Sequence, residues 1–330
     1  MKKTIYLLQS GELKRKDNTL YFESTEGRKF IPVEDTKEIM IYGEVDVNKS
    51  LLEFCTKSEI VLHFFNYYGY YVGSYYPREH YNSGYMILKQ AEHYSDEEKR
   101  LTLARLFVSG AINNILRVLK YYRSRGHEVN SYIEGIEAFE LKVAGTNSIN
   151  ELMAYEGNTR EMYYKSIDTI IDKPDFEFQK RTKQPPNNRL NALISFGNTL
   201  LYTQTLSEIY QTHLDPRIGF LHTTNFRRFT LNLDVSEIFK PILVDRVIFT
   251  LIGRGQLTKN DFIKEGGGIW LSEKGKRTFL AEWEARLSTT IKHRALNRNV
   301  SYRRLLRMEL YKLEKHLMGE QEYEPFAALW

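Results

Sequence analysis

The chain has 330 residues, 42% hydrophobic and 27% charged, with a net charge of +5, which is the composition of a folded globular protein and not of a disordered chain. Its single cysteine, Cys55, excludes an intrachain disulfide and a cluster of thiolate metal ligands. No stretch approaches the roughly 20 apolar residues that span a bilayer, and no signal peptide is recognisable, so we expect a soluble cytoplasmic protein with no membrane contact.

Residues 1–76 are predicted to form a β domain. Short segments rich in β-branched and aromatic residues alternate with turn residues, and one short helix beginning near Asn48 interrupts them. The predicted strands are residues 4–8, 19–22, 29–33, 39–42, 60–65 and 70–75. Six strands around one helix predict a small β-sandwich or folded sheet.

Residues 77–85, which contain Pro, Asn, Ser and Gly, are predicted to link this domain to a larger helical domain at residues 86–330. Apolar residues recur there at three- and four-residue spacing, as in helices. The predicted helices are residues 86–108, 110–125, 131–144, 148–171, 189–212, 236–252, 272–297 and 301–318. Residues 172–188, with three prolines, are predicted to be a loop, and residues 320–330 an irregular tail. The predicted fold class is α+β, with an N-terminal β-sandwich-like domain followed by a mainly α-helical one.

Glu156 is predicted to face inward on the helix that Ser148 caps, because its three- and four-residue spacing places it on the apolar face. A carboxylate buried in its ionised form costs several kcal/mol unless it is paired or binds a cation. Glu156 is therefore predicted either to pair with Arg160, one turn further, or to bind a cation. The neighbouring Gly157 removes side-chain bulk, as the close approach of a ligand or of another backbone segment requires.

His222 is predicted to end one strand of a small hairpin, because residues 223–228 are polar and residues 229–233 alternate apolar and polar. Asp234 and Glu237 then stand where the helix 236–252 begins, and Pro241 within it is expected either to delay the helix start or to kink the helix. The sequence Asp-Val-Ser-Glu fits a helix capping box. The same stretch also offers two carboxylates to a metal ion, although the capping pattern by itself is the stronger of the two interpretations.

Glu156, His222 and Glu237 together would give a divalent cation two carboxylates and one imidazole. This oxygen-rich set suits Mg²⁺ or Mn²⁺ better than a structural Zn²⁺ site, which is normally closed by four protein ligands. Such a metal activates a bound water or hydroxyl and neutralises charge at a phosphodiester. The set therefore favours phosphoryl transfer on nucleic acid.

Positive charge is concentrated near the C-terminus, where eleven Lys and Arg stand against four Glu between Lys276 and Lys315. Contacts from Lys and Arg to phosphates supply most non-specific affinity for nucleic acid, although a solvated helix face has the same pattern. The candidate DNA contacts are Lys292, Arg294, Arg298, Arg303, Arg304 and Arg307.

Several segments, in this order and spacing, resemble the CRISPR-associated protein one family, the spacer integrases, over essentially the whole chain. They are residues 154–157 (AYEG), 191–198 (NALISFGN), 214–222 (LDPRIGFLH), 233–241 (LDVSEIFKP) and 245–246 (DR). The resemblance implies a Mg²⁺- or Mn²⁺-dependent DNA endonuclease and integrase that acts on double-stranded and branched DNA. It also implies a homodimer joined through the N-terminal β domain, and a complex with a dimer of the CRISPR-associated protein two.

The resemblance places the family's catalytic metal ligands on Glu156, His222 and Glu237. Asp234 matches a further acidic position that either binds the metal or supports a ligand, and Lys240 stands where family members often have Arg. An alternative from another class is a non-catalytic DNA-binding scaffold, in which Asp234 and Glu237 cap a helix and Glu156 pairs with Arg160.

Overall fold

The computed structural model describes residues 2–77, 81, 83–223, 229–293 and 296–328. The chain divides into two compact units, Met1–His80 and Tyr81–Trp330. A strand-rich unit therefore precedes a larger helical unit, and the predicted α+β class is confirmed. Residues 78–80 and 82 of the predicted linker lie outside the described residues. No helix formed by the described residues is long and apolar enough to cross a membrane.

The first unit consists of two four-stranded sheets and one helix. One sheet has the order β1-β5-β7-β8 and the other β4-β3-β2-β6. The elements are β1 Lys3–Leu7, β2 Gly11–Lys16, β3 Thr19–Ser24, β4 Gly27–Ile31, β5 Thr36–Ile41, β6 Val45–Asp46, α1 Lys49–Lys57, β7 Val61–Phe65 and β8 Tyr71–Tyr75. Leu62 from the first sheet, Leu13 from the second and Leu51 from α1 share one core, so the predicted sandwich-like arrangement is present.

The sequence did not predict β2 or β6. β2 reads GELKRK and buries only Leu13 completely, because one of its faces is solvated and carries the charges. β6 has two residues and pairs in parallel with β2. Neither strand carries enough apolar side chains to show the period of two.

The second unit is mainly helical. Its helices are α2 Gly84–Ser95, α3 Glu97–Arg123, α4 Asn130–Val143, α5 Ile149–Ile171, α6 Arg189–Ile209, α7 Leu231–Phe239, α8 Arg246–Gly253, α9 Glu273–Ser288 and α10 Tyr302–Leu317. Two short antiparallel hairpins are inserted, β9 Phe262–Glu265 with β10 Gly268–Leu271, and β11 Thr290–His293 with β12 Arg298–Ser301. α4, α5 and α6 match the predicted helices to within three residues.

Three predictions for this unit are wrong. The break near residue 109 lies instead at Asp96, whose carboxylate caps α3 by accepting from the backbone N–H groups of Glu98 and Lys99. The helix predicted to continue to residue 297 ends at Ser288, where the β11–β12 hairpin begins. Residues 231–233, predicted as a strand, form the first turn of α7. Residues 224–228 of the predicted turn lie outside the described residues.

α7 differs from its prediction because it is buried on nearly all sides. An alternation of apolar and polar residues signals a strand only when one face is solvated, whereas Leu231 and Asn232 of α7 are both buried. α7 ends at Phe239, and residues Pro241–Asp245 form one π-helical turn before α8. The predicted interruption at Pro241 is therefore confirmed.

Candidate active site

α5 brings Glu156 and Arg160 to the inside of the helical unit. Ser148 caps the helix as predicted, accepting a hydrogen bond from the backbone N–H of Glu151 at 3.2 Å. Arg160 and Tyr163 are buried, and the side chain of Glu156 is only 17% exposed. The inward stripe predicted from helical spacing is therefore correct.

Glu237 is buried in the last turn of α7 between two cations. Its Oε2 accepts a hydrogen bond from Arg160 Nη2 at 2.8 Å, and its Oε1 accepts one from Lys240 Nζ. Burial raises the pKa of this carboxyl, but Lys240 and Arg160 outweigh burial and lower it to about 2. Glu237 is therefore ionised at neutral pH. It does not cap α7, which begins six residues earlier.

Arg160 lies among three carboxylates. Besides its short bond to Glu237, its Nε is 3.8 Å from Glu156 Oε1 and its Nη1 is 3.9 Å from Asp245 Oδ2. Neither Nε nor Nη1 makes a hydrogen bond to any residue that the structure describes. The ion pair predicted between Glu156 and Arg160 is thus present but long, and the guanidinium favours Glu237.

The two further carboxyls near Arg160 hold protons more readily than usual. Burial and the charge of Glu237 raise the pKa of Glu156, against the opposing effect of Arg160. Burial also raises the pKa of Asp245 to about 6, which Arg160 and Lys240 offset only in part. Three carboxylates thus lie near two cations, Arg160 and Lys240, and a bound divalent cation would favour the ionised forms that burial disfavours.

Asp234 organises the segment that carries His222. One carboxylate oxygen accepts from the backbone N–H groups of Phe220 at 2.5 Å and Leu221 at 3.0 Å. The other accepts from the backbone N–H of His222 at 3.0 Å and lies 2.7 Å from its Nδ1. A Cβ on Gly219 would lie 2.8 Å from Asp234 Oδ2, so the backbone approaches this carboxylate as only glycine permits.

The prediction that Asp234 caps its own helix is wrong. α7 begins at Leu231 after Thr230, which makes no side-chain capping bond, and Asp234 lies in the first turn. Its oxygens bind residues 220–222 instead, so tertiary contacts override the local capping pattern. The carboxylate also orients the imidazole, because a bond at Nδ1 leaves Nε2 as the nitrogen that could bind a metal.

His222 is electrostatically linked to the carboxylate cluster. Burial lowers the pKa of its imidazole, but the hydrogen bond and charge of Asp234 outweigh burial and raise the pKa overall, with a further contribution from Glu237. The charges of Glu237 and His222 in turn affect Glu156. The three predicted ligands therefore influence one another's charge, and a metal at Nε2 would displace a proton.

Within the described part of the chain, no group of three His, Cys, Asp or Glu side chains already has the geometry of a metal site. Arg160 and Lys240 occupy the oxygens of Glu237. The donor types nevertheless fit Mg²⁺ or Mn²⁺, which prefer carboxylate oxygens and accept imidazole. Binding would require Glu237 to exchange one of its cationic partners for the metal.

The predicted DNA contacts fall into three groups. Lys292, Arg298 and Arg304 are exposed, the first two on the β11–β12 hairpin and the third on α10. Arg303 is buried and donates to Gln204 and Glu284, and Arg307 donates to Glu208, so both have internal roles. Arg294 lies outside the described residues.

The family model and the two relatives described next all carry the name Cas1. The sequence model of the family described as CRISPR associated protein Cas1 matches residues 5–285. The chain is 61% identical over 330 residues to the CRISPR-associated endonuclease Cas1 2 of Thermodesulfovibrio yellowstonii, with all of both chains covered. It is 50% identical over 320 residues to the CRISPR-associated endonuclease Cas1 of Thermotoga maritima, covering 97% of this chain and 98% of that one.

Solved structures show the same fold. The structure of a Cas1 protein from Thermotoga maritima superposes with a TM-score of 0.89 at 48% identity, covering 98% of this chain and all of that one. A casposase bound to integration product superposes with a TM-score of 0.89 at 20% identity, covering 99% of this chain and 93% of that one. At that identity the second likeness shows the fold alone.

Proposed function

Because the chain belongs to the CRISPR-associated protein Cas1 family, we propose that it is a divalent-metal-dependent DNA endonuclease and integrase of CRISPR adaptation. Its close full-length relatives are named CRISPR-associated endonucleases. The observation that carries the proposal is the buried cluster in which Arg160 lies 3.8 Å from Glu156 and 2.8 Å from Glu237, while Asp234, on the same helix as Glu237, holds His222 at 2.7 Å.

Glu156, His222 and Glu237 would hold the metal, with Mg²⁺ or Mn²⁺ as the ion. When bound, the metal would polarise a phosphodiester and lower the pKa of an attacking hydroxyl. The chain's own groups prepare the site for it. Asp234 holds His222 in one tautomer and orientation, and Arg160 and Lys240 keep Glu237 ionised.

The proposed reaction is a direct transesterification. The 3′-hydroxyl of an incoming DNA end forms a new phosphodiester with the target strand, and the bond to the target's own 3′-oxygen breaks. Cleavage is the same displacement with water as the attacking group. A covalent protein nucleophile is not required.

The proposed partners are double-stranded and branched DNA, a second copy of this chain and a Cas2 dimer. The family membership supports the second copy and Cas2. Lys292, Arg298 and Arg304 support DNA binding, because they are exposed and basic on neighbouring elements of the sequence.

Replacing these three residues by Ala should weaken DNA binding. The slope of the logarithm of DNA affinity against the logarithm of salt concentration should become shallower by about 0.9 for each lost phosphate contact. An unchanged salt slope would remove this surface from the DNA interface.

The first test compares native chain and His222→Ala for cleavage and strand transfer on branched DNA with Mn²⁺ or Mg²⁺. We expect activity in the native chain and at least a hundredfold loss in the variant, with circular dichroism and DNA binding unchanged. Equal activity in both would remove His222 from the chemistry. Inactivity of both would favour the non-catalytic scaffold, although the helix-capping role that the scaffold assigned to Asp234 and Glu237 is not seen.

A further inference from the structure

The last described residues of the chain, 323–328, form what we call the C-terminal strap. The strap has no regular secondary structure, yet Tyr323 and Ala328 are 2% and 1% exposed. An irregular segment is ordered only where specific contacts hold it. The sequence predicted only an irregular tail, so these contacts call for an explanation.

Two buried polar side chains hold the strap. Glu309 of α10 accepts hydrogen bonds through Oε1 from the Tyr323 hydroxyl at 2.7 Å and from the backbone N–H of Phe326 at 2.9 Å. Asn114 of α3 accepts one through Oδ1 from the backbone N–H of Ala328 at 2.9 Å. Both side chains are essentially inaccessible to solvent, so their bonds to the strap have few competitors.

The same Asn114 connects the strap to the end of α7. Its Nδ2 donates to the backbone carbonyl of Ile238 at 3.0 Å and to that of Phe326 at 2.9 Å. The ring of Phe326 stacks on that of Phe239, with centroids 5.4 Å apart and planes at 6°. Ile238 and Phe239 directly follow Glu237, so the strap contacts the turn that carries this carboxylate.

The end of α7 needs external support. The helix has nine residues, which is too short to be stable by itself. Pro241 has no N–H to donate to the preceding turn, and a π-helical turn follows. The bond from Asn114 to the Ile238 carbonyl, together with the ring stacking, therefore helps to fix the last turn at the place where the regular helical bonds are interrupted.

We propose that the C-terminal strap is a positioning element for Glu237, acting through Asn114 and Phe326 on the last turn of α7. The inference rests on the proposed function, in which Glu237 is a metal ligand. Groups that orient metal ligands are typically worth ten- to a hundredfold in metal affinity. Loss of the strap should therefore weaken metal binding even while the helical unit stays folded.

The first test removes the strap and adds it back. A chain ending at Gly319 is titrated with Mn²⁺, and free Mn²⁺ is followed by electron paramagnetic resonance, beside native chain. We expect at least tenfold weaker Mn²⁺ binding. A synthetic peptide of residues 320–330 should restore the affinity, and the same peptide with Phe326→Ala should not. Native affinity in the shortened chain would overturn the proposal.

A second variant keeps the whole chain. A Cβ on Gly110 of α3 would lie 2.6 Å from Pro325 Cβ and 3.3 Å from Ile238 Cγ1, so Gly110→Ala should displace the strap strongly and the Ile238 side chain of α7 by only a few tenths of an ångström. Alanine is a better helix former than glycine, which limits any cost to α3 itself. The matched control is Gly253→Ala at the end of α8, where a Cβ meets no described atom within 4 Å beyond its chain neighbours and the backbone of its own helix. We expect tenfold weaker Mn²⁺ binding in the first variant and native binding in the second.

The outcomes separate the strap from the metal site. His222→Ala in the same titration should lose Mn²⁺ binding. If it does while Gly110→Ala binds Mn²⁺ like the native chain, the strap proposal fails and the proposed site stands. If His222→Ala binds normally, the proposed metal site fails. If the shortened chain does not fold, the test of the strap is the comparison of Mn²⁺ affinity between the full-length variants Gly110→Ala and Gly253→Ala.

Discussion

The candidate site contains two buried polar clusters, one around Asp234 and one around Arg160, and they differ in how many of their polar atoms are hydrogen-bonded. Around Asp234, four contacts to residues 220–222 lie between 2.5 and 3.0 Å. Around Arg160, one contact is 2.8 Å, but the other two carboxylates lie at 3.8 and 3.9 Å. The first cluster is complete as it stands, whereas the second has donors and acceptors that face one another without hydrogen bonding.

The difference suggests two roles: the Asp234 cluster fixes the local structure, and the Arg160 cluster responds to a bound cation. Buried polar groups normally have all their partners, and incomplete sets concentrate at functional sites. A fixed Asp234 gives His222 one orientation, which a metal ligand needs. The looser cluster around Arg160 allows charge to be redistributed when a cation binds. We therefore expect substitution of Asp234 to act mainly on stability, and changes in the second cluster to depend on metal and pH.

The largest effect should come from Asp234→Ala. The substitution leaves the buried backbone N–H groups of Phe220 and Leu221 without an acceptor, together with the partly buried N–H and Nδ1 of His222, at a cost of about 3–5 kcal/mol in the free energy of unfolding. All three tryptophans lie in residues 81–330, so urea unfolding followed by tryptophan fluorescence reports on this unit. The control is Asp175→Ala, at an exposed ion pair with Arg189, where the loss should stay below about 0.5 kcal/mol. Equal losses in the two variants would refute the assignment of Asp234.

The next largest effect on the free energy of unfolding should come from adding Mn²⁺. A ligand that binds only the folded chain stabilises it by about 2.7 kcal/mol at a concentration of 100 times its Kd. Mn²⁺ should therefore raise the free energy of unfolding of the native chain by about that amount, and should leave Glu237→Gln unchanged. The measurement is urea unfolding of both chains with Mn²⁺ and with a chelator. An equal rise in Glu237→Gln would mean that the ion binds elsewhere.

The sequence predicted the parts of the site that depend on helical period. The inward face of α5 with Glu156 and Arg160 followed from spacing alone, and the cap at Ser148 from a local pattern that the structure keeps. The helix-capping role of Asp234 was mispredicted, because Asp-Val-Ser-Glu fits a capping box and its true partners lie twelve to fourteen residues earlier in an irregular segment. Support of a metal ligand, the role that the resemblance implied for Asp234, stays a prediction.

Charge patterning misled in a similar way near the C-terminus. Arg303 and Arg307 belong to a run of basic residues, but their partners Glu284 and Glu208 lie 19 and 99 residues away in sequence. A count of charges along the chain shows only their excess. Tertiary contacts decide which basic side chains can reach a polyanion. That Lys292, Arg298 and Arg304 are exposed is known only from the fold.

A smaller effect should come from Asp245→Asn, and it should depend on pH. Burial raises the pKa of Asp245 from its usual 3.8 to about 6, so the folded chain binds this proton more tightly than the unfolded chain. Its contribution to stability is therefore complete below about pH 4 and is lost as the pH rises through 6. Between pH 4 and 7.5 the native chain should lose about 2 kcal/mol relative to Asp245→Asn, measured by urea unfolding at each pH.

Asp261, a buried carboxyl outside the two clusters, should change stability with pH in the opposite direction. Burial raises the pKa of Asp261, but hydrogen bonds from Thr258 and the charge of Lys274 outweigh it and lower the pKa below 3.8. Its stabilising effect is present above the unfolded pKa and is lost as the pH falls. Asp261→Asn should thus be less stable than the native chain at pH 7.5, and the difference should shrink toward pH 3. If both variants shift in the same direction with pH, the excess of carboxylate charge around Arg160 is not what distinguishes that cluster.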